Sequence, residues 1–158
     1  AFDANRQAEI EAVKPVIERL KETGWTFGSH TWGHIRLDSR PLESVQRDTV
    51  RWAEEVGSLV GPTNILFYPH GGRPDGDDWH STGPVFQYLQ SQGFRIFASV
   101  GINSFSYIKK DISAVICDRL HPDGTTLRNG KALEWYSQFY DAREIIDLDV
   151  RPDLGVTW

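Results

Sequence analysis

Sulfur is nearly absent from this chain: its 158 residues hold one cysteine, Cys117, and no methionine. A single thiol rules out an intrachain disulfide, so stability must come from a packed core, and a chain of this length can bury a substantial one. No apolar run approaches the ~20 residues of a membrane span, and no secretory signal pattern is visible. Basic charge is also short. Seventeen Lys and Arg face 22 Asp and Glu, a net charge of −5, which argues against a general nucleic-acid binder with its basic face. Repeats, low-complexity tracts and linkers are lacking, so one domain over residues 1–158 is the economical reading. The start at Ala1, with no methionine anywhere, reads as a processed or excised piece.

What is present alternates. Ile10, Val13, Ile17 and Leu20 recur at three- and four-residue steps and predict a helix over 5–23, stopped by Gly24. Pro15 inside it predicts a kink or a later start. "WTFGS" (25–29) has the aromatic and β-branched character of a short strand. Leu42, Val45, Trp52, Val56 and Leu59 predict a helix over 42–59, ended by Gly61-Pro62. "NILFYP" (64–69) reads as a strand buried on both faces. A Gly- and Asp-rich loop, a helix over 85–92 and the strands "FRIFASV" (94–100) and "ISAVIC" (112–117) follow. A helix over 131–140 and a strand at "EIIDL" (144–148) complete the series. This order predicts an α/β fold, a mostly parallel sheet with flanking helices.

Histidine is scarce, with five in the chain, yet "FGSHTWGH" (27–34) sets His30 and His34 four residues apart. Ligand sites in parallel sheets lie at the carboxyl ends of strands, and this segment directly follows "WTF". Residues four apart on a helical turn face the same way, so both imidazoles can reach one ion at about 2.0–2.1 Å. Gly28 and Gly33 permit a sharp turn. A bare His-x3-His is otherwise an ordinary surface turn, so the surrounding pattern decides.

That pattern, a helix, Gly-Trp, a short strand and then "HTWGHIRL", resembles the polysaccharide deacetylases with the NodB-homology fold, a carbohydrate esterase family. Their second motif, His-(Ser/Thr)-x-x-His, is matched by "GWTFGSHTWGHIRL" (24–37). The resemblance implies a partial (β/α) barrel, incomplete at its N-terminus. It implies a divalent ion on His30 and His34, zinc first, with cobalt or another divalent ion as alternatives. Thr31 falls at the hydroxyl position that braces the loop. The third motif, Arg-x-Pro-(Tyr/Phe)-Gly, is similar to "FYPHGGR" (67–73). There Pro69 and Gly71 match, His70 replaces the aromatic and Phe67 replaces the arginine. By this resemblance Tyr68, His70, Gly71, Arg73 and the nearby Trp79 bind substrate, with a backbone amide near His70 on the oxyanion.

Other motifs match less well. "DGDDW" (75–79) has the letters of the family's Asp-x-x-Asp-Trp but comes too early. Asp75 and Asp78 therefore read as a solvated loop, with Trp79 and His80 offering a sugar-stacking face. Leu120-His121 is similar to the last motif, Leu-x-His, without its middle residue, and makes His121 the candidate general acid. Arg119 and Arg128 flank it as anion binders or as partners of Asp118 and Asp123, and Cys117 reads as core. The first motif, Thr-Phe-Asp-Asp, supplies the family's base and third ligand. Here Asp3 of "AFDAN" reads instead as a helix-start residue.

The implied activity is metal-dependent removal of N-acetyl groups from amino sugars in a polysaccharide or oligosaccharide, at an extracellular or cell-surface location. Without the first motif, this chain alone is expected to bind metal weakly and to turn over little. Two alternatives stand: a carbohydrate-binding pseudoenzyme of the same fold, and an unrelated α/β metal-binding domain.

Overall fold

Continuous apolar runs form the strands. The computed structural model describes residues 2–76, 83–100, 107–109, 113–119, 134 and 136–138. Its strands are β1 (Ile65–Phe67), β2 (Ile96–Val100), β3 (Tyr107–Lys109) and β4 (Ala114–Arg119), in the sheet order β1-β2-β4-β3. β1, β2 and β4 are parallel, with Phe97 beside both Leu66 and Ile116, and β3 joins β4 antiparallel. The α/β class and the mostly parallel sheet are thus observed. The described strands form a single four-stranded sheet, and barrel closure stays an implication of the resemblance.

Parallel neighbours need a crossover, and α4 (Pro84–Ser91) supplies it between β1 and β2. Phe86 from this helix and Phe97 from β2 are fully buried, with ring centroids 4.8 Å apart. Leu37, Val45, Leu66, Tyr68, Leu89, Phe94 and Ile116 complete most of the core around them.

The first helix, α1 (Phe2–Glu22), runs through Pro15 and begins well before it. Of its apolar stripe only Ile17 is buried, and Val13 is exposed. The helix expected over 42–59 is present as α2 (Leu42–Trp52), a π-helical turn over Ala53–Gly57, and α3 (Ser58–Val60). Gly61 ends it at φ 92°, a left-handed conformation that glycine adopts without steric cost.

"WTFGS" is less strand than expected. Only Ser29 pairs, through a bridge to Leu66 in which its N–H donates to Ile65 O (2.9 Å) and its carbonyl accepts from Phe67 N–H (2.8 Å). Gly28 is required just before it, because a Cβ there would lie 2.5 Å from the Phe67 ring. Pairing stops after Ser29 because Thr31 turns the chain at φ 61°. β3 was not expected at all, and "ISAVIC" starts at Ala114 and extends to Arg119. That extension carries Arg119 to the carboxyl edge of the sheet.

Asp75 also departs from the expected solvated loop. Its carboxylate accepts the N–H groups of Val85 (3.1 Å) and Phe86 (2.9 Å), which are unsatisfied donors in the first turn of α4. The cap lies nine residues upstream of the helix's first residue, so local capping rules miss it. Asp75→Ala is expected to lower the unfolding free energy by about 1 kcal/mol, seen as a lower urea midpoint at unchanged slope. An unchanged midpoint would show that water replaces the carboxylate at no cost.

Two compact units divide the chain, Ala1–Arg119 and Leu120–Trp158. In the second, Glu134 and Tyr136 are helical, within the helix expected over 131–140. The strand expected over 144–148 lies outside the described residues.

Candidate active site

Because β1, β2 and β4 are parallel, the residues just past their ends share one edge of the sheet. His30 follows the Ser29 bridge, Pro69–Gly71 forms a tight 3-10 turn after β1, and Arg119 closes β4. His30 and His34 have ring centroids 4.9 Å apart, and His34 and His70 are 4.5 Å apart, both edge to face. His30 is half-buried, whereas His34 and His70 are exposed. Among the described residues, no three His, Cys, Asp or Glu side chains stand in an arrangement that could hold a metal ion.

The protonation of His30 follows from its partner. Its Nδ1 lies 2.8 Å from Phe67 O. A carbonyl can only accept, so Nδ1 carries the proton and the neutral ring keeps its lone pair on Nε2. Burial pushes the His30 imidazole below its ordinary value, and positive charge on Arg119 works in the same direction. The bond to Phe67 opposes them.

The loop holding both histidines is built from backbone contacts. Asp48, on α2 and almost fully buried, accepts N–H groups from Trp32 (2.8 Å) and Gly33 (2.7 Å). Thr31 Oγ1 accepts from Ile35 N–H (3.1 Å), and Thr31 N–H donates to Ser29 Oγ (3.2 Å). Trp32 is tied to the helical layer: its indole N–H donates to Glu55 (3.0 Å) and the Arg51 guanidinium lies 3.5 Å over its ring. With Trp32 and Gly33 pinned, the segment between the histidines cannot drift.

Backbone strain collects here. Thr31, His34 and His70 have φ of 61°, 50° and 56°, three of five such non-glycine residues among those described. Left-handed backbone at a non-glycine residue costs about 1 kcal/mol or more and tends to gather at functional sites.

The other expected site residues divide. Tyr68 has its ring in the core, 1% exposed, and its backbone carbonyl accepts from Arg119 at the strand ends. Gly71 accepts from Ser99 Oγ (3.1 Å), which ties the Pro69–Gly71 turn to β2. Arg73 forms a long ion pair with Asp118 at 3.9 Å, drawing it toward the end of β4. Trp79, His121, Asp78, His80 and Arg128 lie outside the described residues. Cys117 is half-buried in β4, and burial followed by the charge of Asp118 pushes its thiol up, as suits a packing residue.

Two residues hold the site in ways the sequence did not indicate: Asp48 had no expected role, and Arg119, expected as an anion binder or a partner of Asp118 or Asp123, bonds backbone carbonyls instead. Arg119 donates from Nη2 to Tyr68 O (3.0 Å) and from Nε to Ser99 O (3.3 Å), joining the ends of three strands. Its guanidinium also lies 5.3 Å from the Phe67 ring centroid. No sequence pattern signals this, because the contacts span up to 51 residues. Asp48 left a clue: it falls between Val45 and Trp52 on the buried side of α2, where an acidic residue needs a polar partner.

The polysaccharide deacetylase family model matches residues 3–95, a stretch that includes His30, His34 and the Pro69–Gly71 turn. Comparison with curated proteins and with solved structures finds no match. With well over half of its residues inside that match, the chain belongs to the polysaccharide deacetylase family.

Proposed function

We propose that the protein is a metal-dependent hydrolase that removes N-acetyl groups from amino sugars of a polysaccharide, with His30 and His34 as ligands of a divalent ion, zinc first. The observation that carries this reading is the paired imidazoles at the strand ends, with His30 held by Phe67 O in the tautomer that bares Nε2. A ligating histidine ordinarily donates its other ring N–H to a carbonyl or carboxylate, so the donor chemistry suits the ion. When bound, such an ion acidifies water and polarises an amide carbonyl.

The remaining roles fall to the chain itself. Asp48 and Thr31 hold the histidine loop, while Ser99 and Arg119 hold the neighbouring turn and strand end. A backbone amide at His70–Gly71 is the proposed donor to the oxyanion. His121 is the proposed acid that protonates the departing amine. Arg73 and Trp79 are the proposed contacts to the glycan, Trp79 by stacking on a sugar face. An extracellular or cell-surface location suits such a substrate.

Acetate release from N-acetylglucosamine oligomers tests the reading. Release should vanish on chelation and return with zinc or cobalt. Sugar binding without acetate release at any metal concentration, even in a chain extended upstream by the family's first motif, would replace the hydrolase with a carbohydrate-binding pseudoenzyme.

A further inference from the structure

We infer that the glycan is acidic, and that a cationic groove beside the histidine loop binds its carboxylates. The inference rests on the glycan reading above and names the class of polysaccharide. Ser44, Arg47 and Arg51 recur at three- and four-residue steps on α2, so they share one face of that helix. Arg40 comes from the turn just before it, and these four residues line a groove of about 560 Å³. Trp32 and Gly33, two of the three residues between His30 and His34, line it as well. The groove thus adjoins the loop that carries the histidines, where neighbouring units of a bound polymer would lie.

Charge here runs against the trend of the molecule. The chain carries a net charge of −5, yet three arginines line this groove beside a single acidic residue, Asp48. The Asp48 carboxylate is taken by the N–H groups of Trp32 and Gly33. Arg51 is also held, by Glu55 at 2.8 Å and over the Trp32 ring at 3.5 Å. Arg40 and Arg47 differ. Both are exposed, and among the described residues no carboxylate pairs with either; Arg47 donates to Ser44 Oγ (3.1 Å). Like charges crowded on one face repel, and their summed field draws an anion. A guanidinium fork matches a carboxylate with two parallel hydrogen bonds. Trp32 and Ile35 add apolar lining, the usual complement to a few charged groups in a ligand site. A neutral polymer would leave both guanidiniums without a partner, and the acidic net charge argues against a nucleic acid.

Calorimetric titration with three probes of equal length tests the inference. They are a neutral N-acetylglucosamine oligomer, a hyaluronan oligomer that alternates this sugar with glucuronate, and an oligothymidylate. Hyaluronan should bind tightest, by about fivefold or more over the neutral oligomer at low salt, with the margin shrinking as salt rises. The double variant Arg40→Gln, Arg47→Gln should bring the two sugar affinities together. Both side chains are exposed, so its urea midpoint should match that of the wild type. If the neutral oligomer binds as well as hyaluronan, or if the preference survives in the double variant, the acidic-glycan inference is overturned and the glycan reading stands. If neither sugar binds, in this chain or in one extended upstream by the family's first motif, both fall. Tighter binding of the oligothymidylate than of hyaluronan would make the groove a nucleic-acid site and overturn the inference.

Discussion

Replacing either His30 or His34 by alanine is expected to abolish acetate release and to weaken zinc binding by at least roughly a hundredfold. His30 has a fixed tautomer, with Nδ1–H on Phe67 O at 2.8 Å and Nε2 left to bind. His34 stands between the other two imidazoles. The two losses should differ in what accompanies them. His34 is exposed, so its alanine variant should unfold at the wild-type urea concentration. His30→Ala leaves a half-buried gap and removes one donor from Phe67 O, so a small fall in midpoint should accompany the lost activity. The measurement is acetate release with zinc in excess, beside the denaturation midpoint of each variant. Undiminished release in both variants would remove the histidine pair from the chemistry.

Asp48→Ala should cost more stability than any other single change at the site. Asp48 is 8% exposed, and its carboxylate accepts two backbone N–H groups, at 2.8 and 2.7 Å. Removing it leaves both donors without that acceptor, at about 1–3 kcal/mol each, or roughly 2–6 kcal/mol together if water does not enter. Against a typical total of ~5–15 kcal/mol, that is a large fraction. The same bonds hold Trp32 and Gly33, so the histidines on either side should lose their relative placement and zinc affinity should fall as well. Asp48→Asn keeps one acceptor oxygen and should fall between. Urea denaturation and zinc titration on the two variants check this. Wild-type stability in Asp48→Ala would show that the loop is held by Trp32 and Thr31 instead.

These effects separate what was legible in the sequence from what was not. Helices α2 and α4 were readable because their apolar residues recur at helical spacing and their ends carry Pro and Gly. β1 and β2 were readable as continuous apolar runs. β3 was missed because three residues at a sheet edge carry too little pattern, and their pairing with β4 is a tertiary event. The strand expected at "WTFGS" shrank to one bridge because a strand is completed by its partner, and only Ser29 finds one.

By itself the sequence determined the α/β class, the family resemblance and the two histidines, all of which depend on residues close together in the chain. Only the tertiary structure decided what surrounds that pair. It brought His70 against His34, set Arg119 across the carbonyls of Tyr68 and Ser99, and turned Asp75 from a loop residue into the cap of α4. The physical reason is that parallel strands gather their carboxyl ends on one edge whatever their separation in sequence. Hydrogen bonds and ring contacts act over a few ångströms and leave no periodic trace in the order of the residues.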